Sequence, residues 1–175
     1  MNIYLILAII VTTIAIFSLI FFSSLSKLKK YKEKMDKAEN IIDEELNKKL
    51  ELIISINSDV KKVTGKKDYL KDYVSISNLI MTNIEKDLKL DEAVKLISDL
   101  TRDFDELLKD ENFIKNINNL KQIDEVLTSA KNVFNINAVE SNQLVKTFPN
   151  NLVAKVVKVR IRSFYNNKTD SEETF

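Results

Sequence analysis

The chain has 175 residues, with 27 Lys or Arg against 26 Asp or Glu, one Gly, one Pro, no Cys and no His. Zinc or haem sites built from His and Cys, nucleophile systems that need Cys or His, and disulfide scaffolds all lack their residues. One glycine cannot build a phosphate-cradling loop, which needs several positions without a Cβ. No catalytic residue, cofactor, metal or small-molecule substrate is expected, and a net charge of +1 gives no overall attraction to nucleic acid.

The charges are unevenly placed. No charged side chain precedes Lys27, so all 53 charges fall in the last 149 residues and the chain reads as two materials joined end to end. Ile3 to Leu25 is a 23-residue apolar run broken only by the hydroxyls Thr12, Thr13, Ser18, Ser23 and Ser24. As a helix rising about 1.5 Å per residue it reaches roughly 34 Å, against a hydrocarbon core of about 30 Å. Fifteen of its residues are Leu, Ile, Phe or Val, which together favour insertion by roughly 5 to 9 kcal/mol. The alternative, a cleaved secretory signal, needs a positive start and an apolar core of about 7 to 15 residues. Here Met1 to Tyr4 carries no Lys or Arg and the apolar run is longer. Residues 1–26 are therefore expected to be a retained, single-pass transmembrane anchor.

Lys27, Lys29, Lys30 and Lys32 follow directly, with Lys34 and Lys37, opposed only by Glu33 and Asp36. Read by the positive-inside rule, this flank predicts a cell-membrane protein with a short N-terminus outside and the remainder cytoplasmic. The same lysines could attract anionic lipid at about 1 kcal/mol each, or simply be the solvated face of an emerging helix.

From Lys27 onward only Gly65 and Pro149 punctuate the chain, which argues for a few long helices rather than turn-rich β structure. Ile42, Leu46, Leu50, Ile53, Ile56, Val60 and Val63 recur at helical spacing. So do Tyr73, Ile76, Ile80 and Ile84; Leu96, Leu100, Phe104 and Leu107; and Phe113, Ile117, Leu120, Leu127 and Phe134. If Gly65 ends the first helix, segments 27–64, 67–104 and 110–147 have nearly equal lengths; if it is tolerated, at about 1 kcal/mol, the first helix runs on toward residue 84. Asp91 and Asp110 read as N-caps, and Pro149 stops a helix near Phe148. The fold class is all-α: an N-terminal transmembrane helix followed, over residues 27–165, by an up-and-down antiparallel bundle of three to four helices.

Beyond Pro149 the pattern changes. Val157, Val159 and Ile161 alternate with Lys158, Arg160 and Arg162, a period of two that suits an extended segment. A lone strand would have no partner, so a helix or an ordered strap packed on the bundle is expected. Residues 166–175 are polar and acidic and are expected to be a disordered tail.

Specific residues of the C-terminal half, namely Glu111-Asn112-Phe113, Leu120, Asp124, Ala130-Lys131, Phe134-Asn135, Asn142, Phe148-Pro149, Asn151-Leu152, Ala154 and Phe164-Tyr165, fall without a gap at the spacing of a known family. With Tyr31, Ala38, Ile42-Asp43, Leu46, Lys48-Lys49 and Leu52-Ile53, the chain resembles the LemA family of bacterial membrane-anchored helical proteins over residues 1–165. The match is thin between about Lys62 and Leu90. Glu39 stands where the family usually has Trp, Ile54-Ser55 replaces Pro-Asn, Asp105 replaces Pro, and Ser141 replaces Tyr. What the resemblance implies is one transmembrane helix and an antiparallel helical bundle, with no activity attached.

Asp124, Asn135 and Asn142 are separated by 11 and 7 residues, whole numbers of helical turns, and so form a polar stripe on one helix. They either bind a partner helix or small polar ligand, or lie inside the bundle and bond to neighbours such as Asp43, setting register. An acid–base or hard-metal role would need Asp43 and Asp124 to meet in a pocket. Lys155, Lys158, Arg160 and Arg162, with Phe164 and Tyr165, form a basic segment suited to a bilayer interface or to phosphates. The leading expectation is a non-enzymatic interaction or scaffold protein whose partners are the lipid bilayer and other proteins. The alternative is peripheral binding of lipid or nucleic acid through residues 155–165.

Overall fold

The computed structural model describes residues 2–65 and 67–165; the acidic tail expected at 166–175 lies outside them. The described residues are about 85% helical and contain no strand. Five α-helices follow in order: α1 (Ile3–Val63), α2 (Lys71–Val74), α3 (Asn83–Asp103), α4 (Glu111–Lys146) and α5 (Asn150–Val156), with 3₁₀ turns at Ser75–Asn78 and Asp105–Lys109. The chain divides into two compact units, one from residues up to Ala38 with Asn132–Tyr165, the other, in its described part, Glu39–Lys131.

α1 does not pause where the apolar run ends. Nothing between Ser23 and Val63 is Gly or Pro, and the lysines that follow Leu25 are good helix formers, so the backbone ladder continues through the change of polarity. The helix stops at Val63, the shorter of the two expectations. Thr64 N–H bonds back to the Val60 carbonyl at 2.9 Å, and Gly65 takes φ 72°, the left-handed conformation that closes a helix and that glycine adopts without a Cβ penalty.

In the unit around Glu39–Lys131 the stripe Ile42, Leu46, Leu50, Ile53, Ile56 and Val60 is buried. It shares a core with Leu90, Ala93, Ile97 and Leu100 of α3 and Phe113, Leu120 and Leu127 of α4. Each large member contributes about 1.5–3 kcal/mol on burial, well above the few tenths by which helix propensities differ. Polar contacts fix the directions. Lys49 of α1 reaches Asp124 of α4, while Ser55 and Asp59, further along α1, accept from Asn116, earlier on α4; the two helices run antiparallel here. α3 runs with α1, since Asn47 meets Lys86 and Lys49 meets Asp91, and Tyr69, just beyond α1, lies against Phe104 at the end of α3.

The segment between α1 and α3 departs from expectation. A single helix over 67–104 is replaced by α2, a 3₁₀ turn, and an extended residue at Leu79 (φ −104°, ψ 141°). Ser75 and Ser77 donate to the carbonyls of Asp72 and Val74, the local bonding by which short hydroxyl side chains compete with a helical ladder. Ile80 is consequently exposed rather than part of a stripe with Ile76, which is buried. The helix restarts at Thr82, whose Oγ1 accepts from Glu85 N–H while the Glu85 carboxylate accepts from Thr82 N–H. Asp91 is therefore inside α3 and caps nothing. Asp110 does cap, its Oδ1 accepting from Phe113 N–H at 3.0 Å. α4 then runs to Lys146, Pro149 follows its end, α5 forms, and the chain from Val159 to Tyr165 is non-helical.

The backbone N–H of Thr82, followed by its hydroxyl, holds the Glu85 carboxyl below its ordinary 4.5. A carboxyl whose folded pKa is depressed contributes stability that is present above its unfolded pKa and is lost as pH falls through the folded value. Amide exchange at the first turn of α3 is therefore expected to accelerate below about pH 4.5 in the native chain. In Glu85→Gln this pH dependence should flatten, and Thr82→Ala should cost about 1 kcal/mol.

Candidate functional site

Two lysines on apolar faces organise the unit that holds α3. Lys49 falls on the buried stripe of α1, four residues before Ile53 and three after Leu46, and its side chain is 0% exposed. Its Nζ donates to Asp91 Oδ1 of α3 at 2.6 Å and to Asp124 Oδ1 of α4 at 2.7 Å. Lys131, on α4 between Leu127 and Phe134, pairs with Asp87 of α3, its Nζ 2.7 Å from Oδ1 and 2.6 Å from Oδ2. Both members of that second pair are buried. Lys49 has no exposed surface, and its ammonium meets two partly exposed carboxylates at the edge of the core and ties three helices together. Asp124 thus engages Lys49, whereas Asp43, the neighbour expected from sequence, is exposed. The acid–base or metal pairing of Asp43 with Asp124 is not what the geometry builds.

Asn135 and Asn142 do something different, in the other unit. Each presents its amide to the backbone of the C-terminal segment as a neighbouring strand would. Asn142 Nδ2 donates to Arg162 O at 2.9 Å and its Oδ1 accepts from Arg162 N–H at 2.8 Å. Asn135 Nδ2 donates to Tyr165 O at 2.8 Å and its Oδ1 accepts from Tyr165 N–H at 2.9 Å. The spacing explains the fit: seven residues of helix rise about 10.5 Å, and three residues of extended chain rise about 10 Å. The strap runs antiparallel to α4, and Tyr165 closes it edge-on against Phe134, ring centroids 5.0 Å apart. The three polar residues expected to act as one stripe therefore share α4 but serve two structures.

The basic residues are spread across different backbones. Lys155 lies on α5, Lys158 takes φ 57° just past it, Arg160 is exposed in the strap, and Arg162 is held through its main chain. The alternation read from sequence is not realised: Val157 and Lys158 form a turn, and from Val159 the non-helical chain turns Arg162 and Tyr165, three residues apart, toward α4. On α1, Lys27, Lys29, Lys30 and Lys32 are exposed, and Lys32 pairs with Asp36 at 2.5 Å. In the same unit an apolar cleft lies between α1 and the corner joining α4 to α5, lined by Phe17, Phe21, Phe22, Phe148, Pro149, Leu152 and Val156 among others. Ser24 Oγ donates to Asn150 Oδ1 at 2.6 Å beside it, and Leu28, Val153 and Ala154 form the buried cluster beneath.

Residues 38–174 match the model of the LemA family. The chain belongs to the LemA family. No curated protein and no solved structure matches it. The matched span contains both lysine–aspartate networks, the two asparagines and the strap, and begins after the apolar run rather than at residue 1. In this LemA family protein the ion pairs of Lys49, Asp87, Asp91 and Lys131 are not among the contacts expected from sequence. Their signal was positional: each lysine interrupts an apolar stripe at a spacing of three or four.

Two outcomes follow. Lys131→Met is expected to destabilise the detergent-solubilised chain by about 3–5 kcal/mol in urea unfolding, because Asp87 loses its buried cation, and adding Asp87→Leu should recover most of the loss. Asn135→Leu and Asn142→Leu should each leave strap backbone groups without their amide partner, costing about 1–3 kcal/mol per group that stays buried. The readout is faster hydrogen exchange at Arg162 and Tyr165 with helical circular dichroism unchanged.

Proposed function

We propose that this LemA family protein is a single-pass membrane protein whose helical domain acts as a non-enzymatic scaffold for other proteins at the cytoplasmic face. Residues 1–26 are the anchor. Residues 27–165 form an up-and-down antiparallel bundle in which the irregular stretch 67–82 is the descending element between α1 and α3. The directions of α1, α3 and α4 support that arrangement.

The observation that carries the reading is the surface of α1. Phe17, Leu19 and Phe22 are 66%, 72% and 66% exposed, and an uncharged helix of lipid-spanning length that covers none of these side chains has a bilayer as its natural solvent. The exposed lysines after Leu25 support a cytoplasmic exit. A scaffold role follows from what the interior does. The buried lysines and asparagines spend their hydrogen bonds on the protein itself, which leaves the helix exteriors for recognition, and tethering to a surface raises effective concentration without new contacts.

Protease protection on intact cells with a tag at each end tests the topology. The C-terminal tag should survive until the membrane is permeabilised, and the chain should stay in the membrane through an alkaline wash. Digestion of the C-terminal tag from outside overturns the orientation, and a wash-soluble product trimmed near residue 25 overturns the anchor.

A further inference from the structure

We infer that the corner joining α4 to α5 is a second membrane contact, its apolar side chains seated in the acyl layer of the same leaflet that the anchor enters, with the cations around it on anionic headgroups. The inference rests on the anchor reading above and extends it from a tether to a docked surface.

The first observation is juxtaposition. Phe148, Leu152 and Val156 recur every four residues, lie on one side of the corner, and are 73%, 51% and 69% exposed. They line the cleft together with Phe17 and Phe21 of α1, residues inside the span that lipid should surround. Phe17 lies eight residues before Leu25, about 12 Å along the helix, within the roughly 15 Å half-thickness of a hydrocarbon core. Side chains that line one cleft with it face the same layer. The corner cannot lift away freely, because Asn150 is bonded to Ser24 and Val153 and Ala154 are buried with Leu28.

The second observation concerns the backbone, since a peptide N–H taken into hydrocarbon without a partner costs several kcal/mol, on the order of 4–8 by transfer to an alkane. The corner is built to avoid that cost. Most of its donors are paired: the N–H groups of Thr147, Asn151, Leu152, Val157, Lys158 and Val159 bond to nearby carbonyls, Pro149 has no N–H to satisfy, and the N–H groups left over are those of Phe148 and Asn150, Asn150 lying beside Ser24 at the polar end of the span. The third observation is charge. Lys155 and Lys158 flank the apolar face, and Lys27 and Lys29 flank Leu28, which packs in the same cluster. Apolar side chains on one side with cations at the rim are the pattern of an interfacial helix on an anionic surface.

The absence of native cysteine allows a direct test. The full chain, carrying a single nitroxide on Ile10→Cys, Leu152→Cys, Val156→Cys or Lys155→Cys, is reconstituted in vesicles of phosphatidylcholine and phosphatidylglycerol. Its relative accessibility to oxygen and to a water-soluble nickel chelate is then read by electron paramagnetic resonance. Leu152 and Val156 should resemble Ile10, with an oxygen-to-nickel ratio several-fold above that at Lys155, which also reports that α5 is formed. High oxygen access at Ile10 with nickel access at Leu152 and Val156 leaves the anchor intact and overturns the inference. Exclusion of both reagents at Leu152 and Val156 also overturns it, by showing a protein surface over the patch. Nickel access at Ile10 removes the anchor and the inference together.

Discussion

The rest of the structure depends on the continuity of α1. One unbroken hydrogen-bond ladder carries the chain from Ile3, in a segment with no charge, to Val63, at the end of the stripe that lines a core. A glycine or proline near residue 26 would separate the two materials and let each find its own direction. Within each unit the helix keeps its phase: Ser24, Leu28, Met35 and Ala38 are buried in one at spacings of four, seven and three, and Ile42, Leu46 and Leu50 are buried in the other at spacings of four. The apolar segment also takes part in the fold of its unit: Ser24 bonds to Asn150 of α5, and Phe21 and Leu25 pack on the cluster of Leu28, Val153 and Ala154.

Against that helix, the buried ion pairs supply selectivity more than strength. Taking a lysine and an aspartate out of water costs several kcal/mol per ion before their attraction is counted, and apolar replacements of both partners are often neutral or stabilising. What the pairs add is a penalty on wrong arrangements. Apolar stripes of Leu and Ile tolerate sliding by one turn, about 5.4 Å, because one branched side chain replaces another. The 2.6 and 2.7 Å contacts of Lys49 do not. A slipped α4 would leave the buried Lys49 ammonium without the Asp124 carboxylate, which favours one register of α4 on α1.

Much of this was legible in the sequence, and the failures have physical causes. Helix content, the Asp110 cap and the stop before Pro149 follow from local rules of spacing, capping and the missing N–H, whereas the end of α1 at Gly65 is one of two readings, since a glycine inside a helix costs only about 1 kcal/mol. The stretch 67–82 does not follow, because the short polar residues between Tyr73, Ile76, Ile80 and Ile84 outweigh their apolar periodicity. Ser75 and Ser77 bonded locally, and Thr82 with Glu85 is a capping box that the sequence displays openly. Asp91 shows the reverse error. An aspartate before an apolar run looks like a cap until its side chain is needed by a lysine 42 residues earlier, a contact no window of local sequence contains.

The asparagines show most clearly how spacing alone can mislead about role. Asp124, Asn135 and Asn142 share a face of α4 by arithmetic, yet the aspartate is held by a cation while each asparagine offers one donor and one acceptor. That difference decides their partners. A carboxylate can only accept, so it suits Lys49; a primary amide reproduces the donor and acceptor pair of a peptide group, so it can pair with an extended backbone that has no neighbouring strand. Seven residues of helix and three of extended chain cover nearly the same distance, so two such amides suffice to seat the strap through Arg162 and Tyr165. Backbone groups that would otherwise need a neighbouring strand are thus satisfied by a helix, at every third residue of a segment whose less exposed positions are Val159, Arg162 and Tyr165.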